Sequence, residues 1–374
     1  MIPFNASYVP EASKQYVLEA LESNHQQGDG PFTAKASKIL SNLVGNGHVL
    51  LTPSCTHALE MASMLANIGP GDEVILPSYT FTSAATAITK FGATPVFVDI
   101  EMETKGIDVN QVRGAITPKT KAISWVNYAG IAPDIKGLQS IANEFGLLLI
   151  EDNAHGLGGS YQGKPLGSFG DFATQSFHAT KNIQCGEGGA LVINNSKYVE
   201  RAEIIREKGT DRSKFIRGEV QKYQWIDQGS SYLLAEVLAA QLLGQLESFD
   251  DIQSNRKKTC KSYESSLGEY SQRDNPHIEN NAYHMYYIEI DPSEMTSVRE
   301  KLTSANIVTA THYQPLHLSK FGIRLGSDKN QLQNSELVSK SLLRIPLWMG
   351  MSGKIVDQII EAILSLNLAS KRDD

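Results

Sequence analysis

The sequence lacks several features that announce whole classes of protein. Its apolar runs are brief, as at Leu147–Ile150, and none approaches the roughly 20 residues a bilayer crossing needs, so no membrane span is read. It has no long basic block. Its 34 basic residues face 41 acidic ones, a net charge of −7, which gives non-specific nucleic-acid binding little electrostatic support. Cysteine is scarce: Cys55, Cys185 and Cys260 are far apart, odd in number and outside any CxxC spacing. That argues against a disulfide framework or a metal site and for reduced thiols. The opening MIPFNASYVPEASK lacks a basic start followed by an apolar stretch, so no secretion signal is read and the cytoplasm is the expected compartment. No GxGxxG follows a strand, since Gly45, Asn46, Gly47 precedes the first strand pattern and lacks the third glycine. Gly163 and Lys164 run into Pro165 rather than Ser or Thr, so there is no P-loop, and GxSxG and HExxH are absent.

What remains is an ordinary globular composition, 41% apolar and 20% charged, with length for about two to three domains. From His48 to Gly209 short β-branched runs alternate with helical patterns, separated by Gly, Pro and Asp. The spacing predicts an α/β fold with a largely parallel sheet: strands over 48–52, 72–77, 94–100, 121–128, 147–153, 171–178 and 188–194, helices over 54–68, 80–91, 108–116 and 134–145. Runs such as Val74–Pro77 are apolar throughout, as expected when helices cover both faces. Tyr232–Asp251 reads as one long helix and Tyr283–Ile290 as a strand. Residues 1–30 read as an N-terminal arm, 31–246 as a large domain and 247–374 as a small C-terminal domain whose last residues, Ser370–Asp374, are expected to fray. A basic cluster, Arg256, Lys257, Lys258 and Lys261, reads as a solvated helix face.

Open α/β sheets bind ligands beyond the carboxyl ends of their strands, and four such positions carry chemistry. Thr52-Pro53-Ser54-Cys55-Thr56 is a hydroxyl-rich turn opening a helix, where free amides and the helix dipole suit a phosphate; its bland reading is a helix cap by Ser54. Glu151 and Asp152 end an apolar strand, where a carboxylate can stabilise a ligand cation or merely cap a loop. Ser176-Phe177-His178-Ala179-Thr180-Lys181 ends another strand with a lysine that, taken alone, would be solvated. Gly186-Glu187-Gly188-Gly189 lets backbone approach closely. In this order, a phosphate-holding helix start, a strand-end acid and a lysine 29 residues later are what pyridoxal 5'-phosphate requires.

At these residues the chain resembles the DegT/DnrJ-type sugar aminotransferases, which have the aspartate aminotransferase fold. The runs TPSCT (52–56), PSYTF (77–81), EDNAH (151–155), SFHATKN (176–182) and GEGG (186–189) carry the resemblance, which extends from MIPFN through HYQPLH (312–317) to RIPLW (344–348). GDGPFT (28–33), REKGT (206–210) and GSSYL (229–233) resemble the dTDP-4-amino-4,6-dideoxygalactose transaminase branch. The resemblance implies a large domain with a mixed, mostly parallel seven-stranded sheet, a smaller C-terminal α/β domain and a homodimer with shared sites. It makes Lys181 the Schiff-base lysine and proton carrier, pairs Asp152 with the pyridine nitrogen, places His155 near the ring hydroxyl and stacks Phe81 on the ring. Cys55, Thr56 and Ser176 surround the phosphate, and His178 orders the lysine turn. Many relatives supply an asparagine from the partner subunit where Ser231 stands. Substrate contacts are implied at Phe32, Thr33, Arg212, His312, Tyr313 and His317, although His312 and His317 read equally well as satisfied loop residues. Relatives with histidine at the lysine position are sugar dehydratases, which Lys181 argues against.

The expected activity is transfer of the amino group of L-glutamate, which leaves as 2-oxoglutarate, to C4 of a nucleotide-linked 4-keto-6-deoxy sugar such as dTDP-4-dehydro-6-deoxy-D-glucose. Alternatives are a 3-keto or UDP-linked keto sugar or an aminocyclitol precursor, a non-enzymatic pyridoxal-phosphate-binding regulator, and a cofactor-free carbohydrate-binding module.

Overall fold

In the computed structural model, which describes residues 1–271, 280–327 and 331–368, the strand patterns assemble into a single seven-stranded sheet. The chain opens with α1 (Glu11–Glu22) and α2 (Pro31–Leu43). It then alternates β1 (His48–Thr52), α3 (Cys55–Leu65), β2 (Glu73–Pro77), α4 (Thr82–Thr89), β3 (Thr94–Val98), α5 (Val109–Ala115), β4 (Thr120–Val126), α6 (Ile135–Phe145) and β5 (Leu148–Asp152). A short ribbon, β6 (Ser160–Tyr161) and β7 (Lys164–Pro165), precedes β8 (Phe172–Ser176) and β9 (Gly189–Ile193). Helices α7 (Val199–Arg206), α8 (Arg212–Ile216), α9 (Glu236–Glu247) and α10 (Phe249–Leu267) follow. The C-terminal unit comprises β10 (Tyr286–Glu289), α11 (Met295–Ser304), β11 (Ala310–Thr311), α12 (Lys320–Arg324), α13 (Gln333–Ser341), β12 (Leu342–Ile345) and α14 (Gly353–Leu364).

The large sheet runs β1-β9-β8-β5-β4-β2-β3, with β9 antiparallel to both neighbours and the other pairs parallel. Both faces are covered. Val74 and Leu76 of β2 join Leu50, Ile150 and Leu191 under α3, α4 and α7, while the alternate Ile75 joins Ile123, Trp125 and Leu149 under α6. Strand positions of either parity are therefore buried, which is why these strands read as unbroken apolar runs. Local chemistry sets the helix ends: the Ser54 and Asp134 side chains accept from the amides of His57 and Gly137, and Gly146 closes α6 at φ +67°. The smaller sheet, β10-β12-β11, lies against α10, α11 and α14 around Tyr263, Tyr286, Leu343 and Ile359. Among the described residues no helix is long and apolar enough to cross a membrane.

Several expectations need correction. The segment read as one helix over 232–251 is extended through Ala235 and interrupted at Ser248. Tyr232 is held out of helix by its hydroxyl, which donates to Glu60 at 3.1 Å, and by its amide, which bonds Arg206 O. The N-terminal 30 residues are more than an arm: α1 docks on α9, where a Cβ on Gly244 would stand 2.4 Å from the Ser13 amide nitrogen. Arg256 leaves the solvated basic face, being 4% exposed with its guanidinium donating to Tyr283 O and His284 O. The fraying expected at Ser370–Asp374 lies outside the described residues.

Candidate active site

A cavity of about 430 Å³ opens at the carboxyl ends of β4, β5 and β8. Lys181, Asp152, His155, Ser176, His178, Cys55, Thr56 and Phe81, all read from the sequence, line it together with His312 and Tyr313. At one wall the turn after β1 delivers Cys55 and Thr56 as the first residues of α3, whose leading amides have no intrahelical acceptor. Thr56 Oγ1 bonds Ser83 Oγ at 2.7 Å, tying α3 to α4. This turn lies so close to β9 that a Cβ on Gly189 would sit 2.4 Å from the Cys55 nitrogen, which is why glycine stands there.

Strand alternation separates the two acids that end β5. Glu151 turns away from the cavity and takes hydrogen bonds from Asn127 Nδ2 (2.8 Å) and the amides of Gly167 (2.7 Å) and Phe169 (3.0 Å). Asp152 faces the cavity, its Oδ1 accepting the Ala154 amide at 3.1 Å. Burial pushes its carboxyl above the ordinary range, and the Ala154 amide and Lys181 pull it back. Lys181 shows no side-chain hydrogen bond or ion pair among the described residues. Desolvation lowers its amine to about 8, Cys55 and Asp152 resist that shift and Arg344 adds to it. His178 Nδ1 accepts from the Thr180 amide at 3.3 Å, within the turn that carries the lysine. On the arm, Asn5 Nδ2 donates to Ala179 O at 3.1 Å in the same turn.

The far wall comes from the C-terminal unit; His312 and Tyr313 were expected there from the sequence, whereas His284 and Arg344 were missed. His284 stacks on His155 with centroids 4.4 Å apart, His312 stacks on Tyr313 at 4.0 Å, and Arg344 completes the lining. His155 is buried with Nδ1 unpartnered among the described residues, and burial first, then Lys181, holds its ring well below its usual pKa. Tyr79 and Tyr128 stand behind this wall, Tyr79 donating to His312 O at 2.7 Å. Arg344 offered one signal, a charged residue inside the apolar strand LLRI. Nothing local distinguishes His284.

Five of the expected contacts do not line the cavity of the single chain. Thr33 is tied to Glu236, whose carboxylate also accepts the amides of Gly30 and Phe32, so Phe32 and Thr33 are committed to the start of α2. Arg212 reaches Glu207 at 3.5 Å, and Ser231 is exposed in an isolated bridge to Glu207. His317 is fully buried, its Nδ1 2.7 Å from Ser78 Oγ.

Residues 8–364 match the model of the DegT/DnrJ/EryC1/StrS aminotransferase family. The chain belongs to that family. It is 31% identical over 374 residues to the spore coat polysaccharide biosynthesis protein SpsC of Bacillus subtilis (strain 168), covering 97% of this chain and 96% of SpsC. Among solved structures, the PMP-form of Spr1654 from Streptococcus pneumoniae superposes with a TM-score of 0.89 at 28% identity, covering 98% of this chain and 99% of that one. The PLP-form of the same protein gives 0.88. PseC of Helicobacter pylori, an aminotransferase in pseudoaminic acid biosynthesis, gives 0.87 at 25% identity and covers 97% and 98%. The protein is thus a pyridoxal-phosphate-dependent sugar aminotransferase, and the seven-stranded α/β architecture is that of its structural neighbours. The cavity suits the cofactor: an unengaged lysine amine, a buried acid, an orphaned His155 nitrogen and a helix start converge in one space of ligand size.

Proposed function

We propose that this sugar aminotransferase moves the amino group of L-glutamate to C4 of dTDP-4-dehydro-6-deoxy-D-glucose, giving a dTDP-4-amino-4,6-dideoxyhexose of galactose configuration for a surface polysaccharide. The observation that carries the chemistry is the Lys181 amine, free of partners among the described residues, in the cavity that Asp152 also lines. The choice of sugar rests on the GDGPFT, REKGT and GSSYL runs. SpsC, named for polysaccharide biosynthesis, supports the destination.

Pyridoxal phosphate, when bound, supplies an electron-withdrawing ring and a place to park the amino group between half-reactions. The chain does the rest. Lys181 Nζ would hold the cofactor and, once displaced by the incoming amine, moves the proton at the reacting carbon; a pKa near 8 leaves a useful neutral fraction for both tasks. Asp152 would hold the ring nitrogen protonated, His155 would meet the ring hydroxyl, Phe81 the ring face, and Cys55, Thr56 and Ser176 the phosphate. His178 keeps the lysine turn in shape through the Thr180 amide.

We also propose a cytoplasmic homodimer with shared sites, in which Arg212 and Ser231 serve the partner's cavity. The apolar side chains left exposed near α8, Ile216 at 63%, Trp225 at 79% and Ile226 at 52%, support a covered surface there. Light scattering should give twice the chain mass. For the acceptor, the enzyme is incubated with glutamate and the dTDP keto sugar, and amino sugar and 2-oxoglutarate are followed by mass spectrometry. Conversion of a 3-keto or UDP-linked sugar in its place would refute the assignment.

A further inference from the structure

His284 lines the cavity with Lys181, is 5% exposed and belongs to none of the cofactor contacts. A chain of amides fixes the state of its ring. Gln253 Nε2 faces two main-chain carbonyls, Leu157 O at 3.3 Å and Ala282 O at 3.2 Å, which leaves its Oε1 to accept from Asn182 Nδ2 at 3.0 Å. Asn182 Nδ2 also donates to Ala282 O at 2.7 Å, so that amide is held the same way round. Asn182 Oδ1 therefore meets His284 Nδ1 at 3.0 Å, and because an amide oxygen only accepts, Nδ1 must carry the proton. Turning the ring over would set a C–H against that oxygen. The His155 ring stacked 4.4 Å away and the Arg256 guanidinium on the His284 carbonyl hold the residue in place.

Nε2 is then a lone-pair acceptor, and it bonds nothing among the described residues. Burial first, then His155, Lys181, Arg256 and Arg344, keep the ring well below its ordinary pKa, so it stays neutral. An unpaired acceptor out of water is costly, and a ligand group that donates a proton relieves that cost. The carboxylates of an amino-acid donor have no proton to give, the cofactor's phosphate belongs at the start of α3, and its ring hydroxyl is met by His155. A sugar hydroxyl is a donor. The keto carbon must come to Lys181, whose next residue, Asn182, holds His284, so the reachable hydroxyl is the one on the adjacent carbon and not a group of the distant nucleotide. In a 4-keto-6-deoxy sugar only C3 offers it, since C5 carries the methyl group.

We infer that His284 accepts a hydrogen bond from the hydroxyl next to the keto group of the acceptor sugar, with Asn182 and Gln253 holding the tautomer this requires. The contact turns the hydroxyl-bearing edge of the sugar toward His284 and so sets which face of the keto carbon the incoming amine meets. This inference rests on the reading that the acceptor is a keto sugar with such a hydroxyl.

The test is a cycle between one side chain and one hydroxyl, run in single turnover on the aminated holoenzyme with the dTDP keto sugar and its 3-deoxy analogue. With wild type the analogue should need about a 5- to 100-fold higher half-saturating concentration, because Nε2 stays unpaired beside it. With His284→Phe, which keeps a ring against His155, the parent sugar should weaken by a similar factor and the two sugars should differ by less than about threefold. The glutamate half-reaction of that variant should move by less than about threefold. Asn182→Ala, which frees the tautomer, should shrink the preference for the parent sugar, whereas loss of a merely structural residue would weaken both sugars equally. The wild-type comparison requires no variant to fold. The inference is overturned if wild type treats the two sugars alike, if the preference survives intact in His284→Phe or Asn182→Ala, or if the glutamate half-reaction of His284→Phe falls as far as the sugar one. Should the wild type refuse this sugar but aminate another, the acceptor assignment fails, and the same cycle with that sugar and its analogue lacking the neighbouring hydroxyl decides His284 separately.

Discussion

The depressed pKa of Lys181 has a consequence that can be measured before any sugar is tested. Only the neutral amine attacks an aldehyde. With a pKa of about 8, about a quarter of the amines are neutral at pH 7.5, against about one in a thousand for an ordinary lysine near 10.4. Cofactor-free protein should therefore capture pyridoxal phosphate, followed by its visible absorbance, at a rate that climbs with pH and levels off above about 8. Two substitutions should move this profile in opposite directions. Asp152→Asn removes a negative charge that raises the amine, so the profile shifts to lower pH; Arg344→Gln removes a positive charge that lowers it, so the profile shifts to higher pH. Desolvation, the largest influence, is left in place by both, so neither variant returns the amine to its ordinary value. A wild-type profile that climbs to pH 10, or two variants that move the same way, would refute the reasoning.

Other expected outcomes concern the frame around the site. Glu236→Ala strips the acceptor from the amides of Gly30, Phe32 and Thr33 in a fully buried setting, and urea unfolding should show a loss of roughly 2 to 4 kcal/mol. Glu289→Gln removes the carboxylate that faces Lys105 at 2.7 Å in the interior, for a loss of about 3 to 5 kcal/mol by the same measurement; less than about 1 kcal/mol would mean the pair contributes little. Gly189→Ala presses a Cβ to within 2.4 Å of the Cys55 nitrogen, so the turn must shift. Cofactor affinity should fall at least about tenfold, equivalent to ~1.4 kcal/mol, while far-ultraviolet circular dichroism is unchanged.

Much of the frame was legible because its causes are local. The strands of the large sheet announce themselves by apolar runs bounded by Gly, Pro and Asp, and Ser54 caps α3 by a bond spanning three residues. The break at Ser248 was invisible, because Leu242 and Leu243 on one side and Ile252 on the other are all buried and continue a helical pattern. Arg256 resembled its lysine neighbours because the carbonyls that bury it come from Tyr283, His284 and Leu347, all distant in sequence.

The sequence by itself determined the chemistry-bearing segments: a phosphate-suited turn at 52–56, an acid at a strand end and a lysine beyond the next strand. Each depends on neighbours within a few residues, so each survives being read as text. Tertiary structure alone decided how the far wall is built. His284, His312 and Arg344 come from more than 100 residues beyond Lys181, and folding β10 and β12 against the large sheet brings them to the cavity. It also decided that Thr33 belongs to Glu236, that Glu151 serves the interior while Asp152 faces the cavity, and that one guanidinium is left without a counter-charge. Contacts between remote segments depend on how the packed units dock, and no periodicity along the chain records that.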